Sequence, residues 1–131
     1  MFELKVKSDI ASAHQLHGYE GRCKDLHGHT WKIEVTVQNE TLDKIGMVAD
    51  FRVMKKLLKE VLGPIDHVFL NDLPYFKTVN PTTENIAKYV YQNFSKACLP
   101  VNQQTGQTGA PLRLKQVEVW ESESASSIYY E

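Results

Sequence analysis

Residues 27–37 read HGHTWKIEVTV. From Trp31 onward the chain alternates, with Trp31, Ile33, Val35 and Val37 on one parity and Lys32, Glu34 and Thr36 on the other. That is the two-residue period of a strand with one buried face. His27 and His29 share the apolar parity, so their imidazoles point to the buried side, about 6.5–7 Å apart along the chain. Residues 2–16 repeat the pattern: Phe2, Leu4, Val6 and Ile10 stand against Glu3, Lys5, Lys7 and Asp9, and His14 and Leu16 continue the apolar parity. The connector HGYEGRCKDL (17–26) is polar and contains glycine, which predicts two antiparallel strands joined by a long loop. Antiparallel pairing brings His14 across from His27 and His29.

Working outward, Asp50 is a good N-cap. Phe51, Met54, Leu57, Leu58, Val61 and Leu62 then follow at helical spacing until Gly63-Pro64 ends the helix. A second helix fits PTTENIAKYVYQNFSKACLP (81–100), with a cap, a proline and an early acid at its start and Ile86, Val90, Phe94 and Ala97 as its buried stripe. VNQQTGQTGAP (101–111) reads as an exposed, flexible loop. Leu112 to about Ser122 is a strand, and SSIYY (126–130) a shorter one. The order β, β, α, α, β, β predicts an α+β fold, an antiparallel four-stranded sheet with two helices packed on one face. At 131 residues the chain is expected to be one domain, 1–131.

Composition narrows the function classes. A net charge of −1 and a pI near 6.5 leave no basic footprint for nucleic acid and no polybasic membrane patch. No apolar run approaches the roughly 20 residues that span a bilayer. The N-terminus has no signal-peptide h-region, and two cysteines far apart suit reduced thiols, so a cytoplasmic location is expected.

Three imidazoles converging on one half-buried spot need a shared reason. A divalent metal, Zn²⁺ above others, supplies it, and three histidines leave a fourth position open, as catalytic sites do. The plainer alternative, polar neighbours on a strand, accounts for each histidine singly but not for three in register. His17 falls off the parity and reads as an ordinary surface residue. Cys23 precedes the pair as C-x₃-H-x-H. It is either a fourth ligand closing a structural site or an acid/base group whose pKa is lowered from about 8.5 by the metal and Lys24. Spacing leaves both open. Cys98, at the apolar end of the second helix, reads as a core residue. Asp66 and His67 are adjacent; an Asp can fix a His tautomer, though neighbours in sequence often point apart. Glu121 continues the parity of Val117 and Val119, so its carboxylate turns inward to a cation or to ligand N–H groups, unless it turns out to solvent at the strand end.

Six stretches in order, SAHQL (12–16), CKDLHGH (23–29), MVADF (47–51), DHVFLND (66–72), NPTTENIA (80–87) and VEVWESESASSIYY (117–130), cover nearly the whole chain. Together they resemble the 6-pyruvoyl-tetrahydropterin synthase superfamily, and within it the bacterial 6-carboxy-5,6,7,8-tetrahydropterin synthase branch of queuosine biosynthesis. The C-x₃-HGH spacing is similar to that branch; the pyruvoyl-forming enzymes carry two more residues there, and the hydroxymethyl-forming relatives put a Glu near the Cys23 position. The resemblance implies the tunnelling fold, with subunit sheets joined edge to edge in a homohexamer of two trimers whose active sites lie at subunit interfaces. It implies a zinc lyase converting 7,8-dihydroneopterin triphosphate to 6-carboxy-5,6,7,8-tetrahydropterin, acetaldehyde and triphosphate. His14, His27 and His29 would hold Zn²⁺, and Cys23 would accept a proton without ligating. His67 with Asp66 would relay protons. Glu121 would grip the pterin's amino-pyrimidine N–H groups and join the relay, while Thr82, Thr83 and Glu84 would line the pterin pocket, Thr82 serving equally as a helix cap. Two other functions compete: the pyruvoyl-forming synthase, and a non-catalytic zinc-stabilised pterin-binding assembly.

Overall fold

The computed structural model describes residues 1–21, 24–104 and 111–131. These form β1 (Phe2–His14), β2 (His27–Asn39), α1 (Phe51–Leu62), α2 (Thr83–Gln104), β3 (Arg113–Ser122) and β4 (Ala125–Tyr129), with short 3₁₀ turns between the two helices. The sheet runs β1-β2-β3-β4, antiparallel throughout. The register of β1 on β2 is unbroken from Phe2↔Asn39 to His14↔His27, so three histidines meet at one end of the first hairpin.

The alternation decides which face is buried. Leu4, Val6, Ile10, Trp31, Ile33, Val35, Val37, Val117 and Val119 line the covered face. Met54, Leu58 and Leu62 of α1 and Ile86, Val90 and Phe94 of α2, each at three- or four-residue spacing, close over them. Asp50 caps α1 as expected, its Oδ1 accepting the N–H of Arg52 at 2.7 Å. Cys98 is buried, and burial pushes its thiol up to about 11, which suits a core residue and not a nucleophile.

Three expectations need correction. Phe2 and Phe51, both in apolar register, are 48% and 56% exposed; they sit at the end of the sheet far from the histidines and line a surface pocket with Leu42 and Val48. Helix α2 does not stop at Pro100 but runs on through Gln104. Pro100 has no N–H to donate, so the carbonyl of Lys96 goes without its usual helix partner while the helix continues past it. Residues 105–110 of the expected loop lie outside the described residues. Finally, Glu34, on the parity assigned to solvent, is 4% exposed.

Glu34 is buried because two lysine stems lie over it: Lys5 Nζ is 2.9 Å from Oε1 and Lys7 Nζ 3.1 Å from Oε2. Burial opposes its ionisation, but the hydrogen bonds and charges of the two lysines outweigh burial and hold the carboxyl below the usual carboxylate range. A pKa lower in the folded than in the unfolded chain adds stability that is present above the unfolded value, about 4.3, and lost as pH falls through the folded one. Glu34→Gln is therefore expected to cost about 1–2 kcal/mol at pH 7. In paired urea titrations at pH 7 and pH 3, the gap from the parent should narrow at the lower pH. A gap that stays constant would show that Glu34 acts through shape and not charge.

Candidate metal centre

The end of the first hairpin brings His14 from β1 and His27 and His29 from β2 to one spot, and the end of β3 adds Glu121. One ligand atom from each of these four lies within 4.8 Å of the others. Glu121 faces the imidazoles, the side on which its parity with Val117 and Val119 places it, from an irregular part of the strand. Between Trp120↔Ser126 and Ser122↔Ala125 the β3–β4 register slips by one, so Glu121 is the extra residue of a bulge. The carboxylate points at the imidazoles.

The imidazoles are held by backbone carbonyls. His14 Nδ1 lies 2.7 Å from the carbonyl oxygen of Pro81, and His27 Nδ1 lies 2.6 Å from that of Asp25. A carbonyl only accepts, so in the neutral rings both protons sit on Nδ1 and both Nε2 atoms keep lone pairs. These two nitrogens face each other at 2.8 Å, where neither has a proton to share. His29 Nε2 is buried and makes no hydrogen bond, although Glu121 Oε1 is only 2.9 Å away. Facing lone pairs, an orphaned ring nitrogen and a carboxylate off the donor axis are all satisfied by one cation between them. A His/Glu donor set of this kind fits a divalent metal.

Electrostatics agrees. Burial holds His14 below the usual imidazole range, against the pull of the Pro81 carbonyl, and neighbouring His27 and His29 lower it further. Burial also lowers His29, partly offset by Glu121. Both rings are neutral near pH 7, the form that ligates. Trp31, fully buried, stacks edge-on against His14 at 5.0 Å and His29 at 5.2 Å.

Asp66 and His67 do meet. His67 has a left-handed backbone (φ 55°), and this turns two adjacent side chains toward one another, with Nδ1 2.8 Å from Asp66 Oδ1. The pair is docked on β1: Asp66 Oδ1 accepts the N–H of Ala11 at 3.0 Å, and the N–H of His67 donates to the Ala11 carbonyl at 2.7 Å. The N–H of Ala13 donates to the Val68 carbonyl, so residues 67–69 form a short parallel addition to the edge of β1. His67 and His29 line the same open cleft of about 590 Å³, with Ala11, Ala13, Gly28 and Phe69.

Thr83, the first residue of α2, donates its hydroxyl to Glu121 Oε2 at 3.0 Å. Thr82 caps the helix, its Oγ1 accepting the N–H of Asn85 at 3.2 Å, and Glu84 stands exposed in the first turn. Cys23 lies outside the described residues. His17 is exposed, as expected of an ordinary surface residue.

Single-sequence reasoning passed over two supports. Asn71 accepts the N–H of Gln15 and donates to its carbonyl; Asn80 does the same to His17. Together they clamp the chain just after His14. The signal was their presence inside the stretches DHVFLND and NPTTENIA.

A family model described as 6-pyruvoyl tetrahydropterin synthase matches residues 3–131. The 6-pyruvoyl tetrahydrobiopterin synthase of Poecilia reticulata is 38% identical over 102 residues, 67% of this chain and 69% of the relative. The 6-carboxy-5,6,7,8-tetrahydropterin synthase of Bacillus subtilis (strain 168) is 39% identical over 97 residues, 70% of this chain and 64% of the relative. The match thus spans about two thirds of the length of these curated relatives. The solved structure of Caenorhabditis elegans 6-pyruvoyl tetrahydropterin synthase superposes with a TM-score of 0.81 at 24% identity, over 99% of this chain and 95% of that one. That likeness establishes the fold.

Proposed function

The chain belongs to the 6-pyruvoyl tetrahydropterin synthase family, and from that premise we propose that it is a zinc-dependent lyase. Its substrate is 7,8-dihydroneopterin triphosphate and its products are 6-carboxy-5,6,7,8-tetrahydropterin, acetaldehyde and triphosphate, a step of queuosine biosynthesis. The observation that carries the reading is the convergence of ring nitrogens of His14, His27 and His29 on one spot, those of His14 and His27 with their lone pairs turned to it. The C-x₃-HGH spacing favours the carboxy-forming branch over its sister.

Three nitrogen ligands suit Zn²⁺, which when bound supplies a Lewis acid that acidifies the substrate's side-chain hydroxyls and polarises a developing carbonyl. The rest falls to the chain's own groups. Cys23 takes a proton beside the metal. His67, its tautomer set by Asp66, carries protons to and from the cleft as the pterin is tautomerised and triphosphate eliminated. Glu121 grips the pyrimidine N–H groups, with Thr83 holding its far oxygen, and Thr82 and Glu84 border the same pocket. The whole of 1–131 acts as one tunnelling-fold domain in a cytoplasmic homohexamer, whose interfaces bring Cys23 and His67 together. No helix among the described residues is long and apolar enough to cross a membrane.

A second reading, the pyruvoyl-forming synthase, is favoured by relatives of that name at comparable identity, including the human one at 42% over 85 residues. One experiment separates the two. Zinc-loaded protein is mixed with 7,8-dihydroneopterin triphosphate and the products are read by mass spectrometry. A 6-carboxytetrahydropterin with acetaldehyde is expected; a pyruvoyl product moves the chain to the sister branch. No turnover with zinc present leaves a pterin-binding assembly.

A further inference from the structure

Strand β1 loses its neighbour after His14, whose partner His27 is the first residue of β2. The residues that follow still carry peptide groups that need partners, and two asparagines supply them. Asn71 Oδ1 accepts the N–H of Gln15 at 2.9 Å while its Nδ2 donates to the Gln15 carbonyl at 2.8 Å. Asn80 holds His17 in the same way, at 2.9 and 2.8 Å. A side-chain amide carries an acceptor and a donor in one plane, so it stands in for a strand at a single residue. We propose that Asn80 is a positioning residue for His14. Its clamp on His17 keeps the Pro81 carbonyl against His14 Nδ1, and so keeps the Nε2 lone pair of His14 open to the metal. The inference rests on the metal reading above and adds to it what holds the site open.

Asn80 is set apart from Asn71 by its backbone. Its carbonyl accepts the N–H of Thr82 at 2.8 Å and Nδ2 of Asn85 at 2.9 Å, both at the start of α2. Asn80 is thus tied to the end of β1 through its side chain and to α2 through its main chain. Pro81 lies between these anchors; it is buried, its ring fixes φ, and it has no N–H of its own. The direction of its carbonyl is therefore set from both sides, and it meets His14 Nδ1 at 2.7 Å. Asn71 holds Gln15 from the 3₁₀ turn Leu70–Asp72, by a path that does not pass through Pro81.

The carbonyl matters because His14 has a competing use for its proton. A neutral imidazole carries one N–H. On Nδ1 the proton serves Pro81. On Nε2 it would serve His27 Nε2, which lies 2.8 Å away and is an acceptor because the Asp25 carbonyl holds the His27 proton on Nδ1. That second arrangement is a satisfied hydrogen bond between two ligands, and it closes the site to a cation. Water does not replace a carbonyl that drifts away, since His14 is 1% exposed. The clamp itself is different. It lies on an exposed stretch, where water takes over its two hydrogen bonds at small cost to the fold. Its loss is felt at the imidazole and not in overall stability.

The test reads the proton directly. Metal-free protein labelled with ¹⁵N-histidine is studied by NMR at neutral pH, and the ring signals of His14 are identified by their loss in His14→Asn. In the parent they should report a proton on Nδ1. In Asn80→Ala they should shift toward a proton on Nε2. Zn²⁺ affinity should fall at least about 10-fold, the scale of supporting groups around metal-bound histidines, while the urea midpoint of the metal-free protein stays near the parent's. Asn80→Asp keeps the acceptor and loses the donor. Its His14 signals should lie between the other two, which gives the same reading if the Ala variant does not fold. A parent-like proton position in both variants would overturn the proposal, as would a parent whose His14 already carries its proton on Nε2. A lowered urea midpoint with tautomer and Zn²⁺ affinity unchanged would overturn it too, and leave the clamp merely structural. Failure of the underlying metal reading looks different: Zn²⁺ would not bind the parent, while the proton position would still answer for the clamp.

Discussion

His14→Asn is expected to remove metal binding and turnover while leaving the protein folded. His14 is the hub of the cluster. It is 1% exposed, its ring centroid is 4.4 Å from that of His27 and 5.1 Å from that of His29, and its Nδ1 is tied to the Pro81 carbonyl at 2.7 Å. Asparagine is the informative replacement because its side-chain N–H₂ lies near where Nδ1–H was and keeps Pro81 satisfied. Nothing then occupies the Nε2 position, so the variant deletes the ligand and not its support. Loss of supporting groups costs 10–100-fold in metal affinity, so loss of a ligand should exceed about 100-fold. The lost ring volume should cost about 1–2 kcal/mol of stability, well short of unfolding an ordinary domain. The measurement is metal content after dialysis, paired with melting temperature against added Zn²⁺. A parent at 1,000 times its Kd gains about 4 kcal/mol from the metal, and the variant should show no such gain. Full metal occupancy in His14→Asn would mean that the metal lies elsewhere and that these histidines are structural.

Much of the centre was legible because strand alternation is a local rule that needs no partner. His14, His27 and His29 could be assigned to one face from parity alone, and the register His14↔His27 bears this out. The six ordered stretches pointed to what parity does not contain, the family, which the match over residues 3–131 shows. What stayed hidden depends on contacts between distant residues. Counting by twos places Glu121 inward, where it is, but does not show the bulge from which its carboxylate reaches the cluster. Glu34 looked like a solvent residue because two lysines one strand away, whose stems cover it, are invisible to a one-dimensional alternation. Residues 67–69 carry no strand period, yet they extend the β1 edge because unpaired N–H and C=O groups there accept a partner of any sequence. The asparagine clamps on Gln15 and His17 are 56 and 63 residues from what they hold.

Asp66→Asn is expected to lower kcat/KM by roughly two to four orders of magnitude with metal content unchanged. The reason lies in one oxygen. Asp66 Oδ1 accepts the Ala11 N–H at 3.0 Å and lies 2.8 Å from His67 Nδ1, so it presents an acceptor to both and keeps the His67 proton on Nδ1. Nε2 is then the lone-pair nitrogen of His67, in the cleft it shares with His29. An asparagine must choose. With its oxygen toward Ala11 and its N–H₂ toward His67, it stabilises the wrong tautomer and aims a proton where a base is needed. The fold should tolerate this, because Ala11 keeps an acceptor and the loss is one charged hydrogen bond, about 1 kcal/mol. The Ala11 N–H and then His67, against some desolvation, hold the Asp66 carboxyl below the usual carboxylate range. What it adds to stability is therefore present above about pH 3.9 and lost as pH falls through the folded value, so parent and variant should converge in acid. Activity separates a relay from a scaffold. If Asp66 works through His67, adding Asp66→Asn to a His67→Ala protein should cost little more, since groups acting as a unit are not additive. Independent, multiplying losses would mean that Asp66 serves the backbone of β1 and not the chemistry. Unchanged kcat/KM in the single variant would remove the pair from the mechanism altogether.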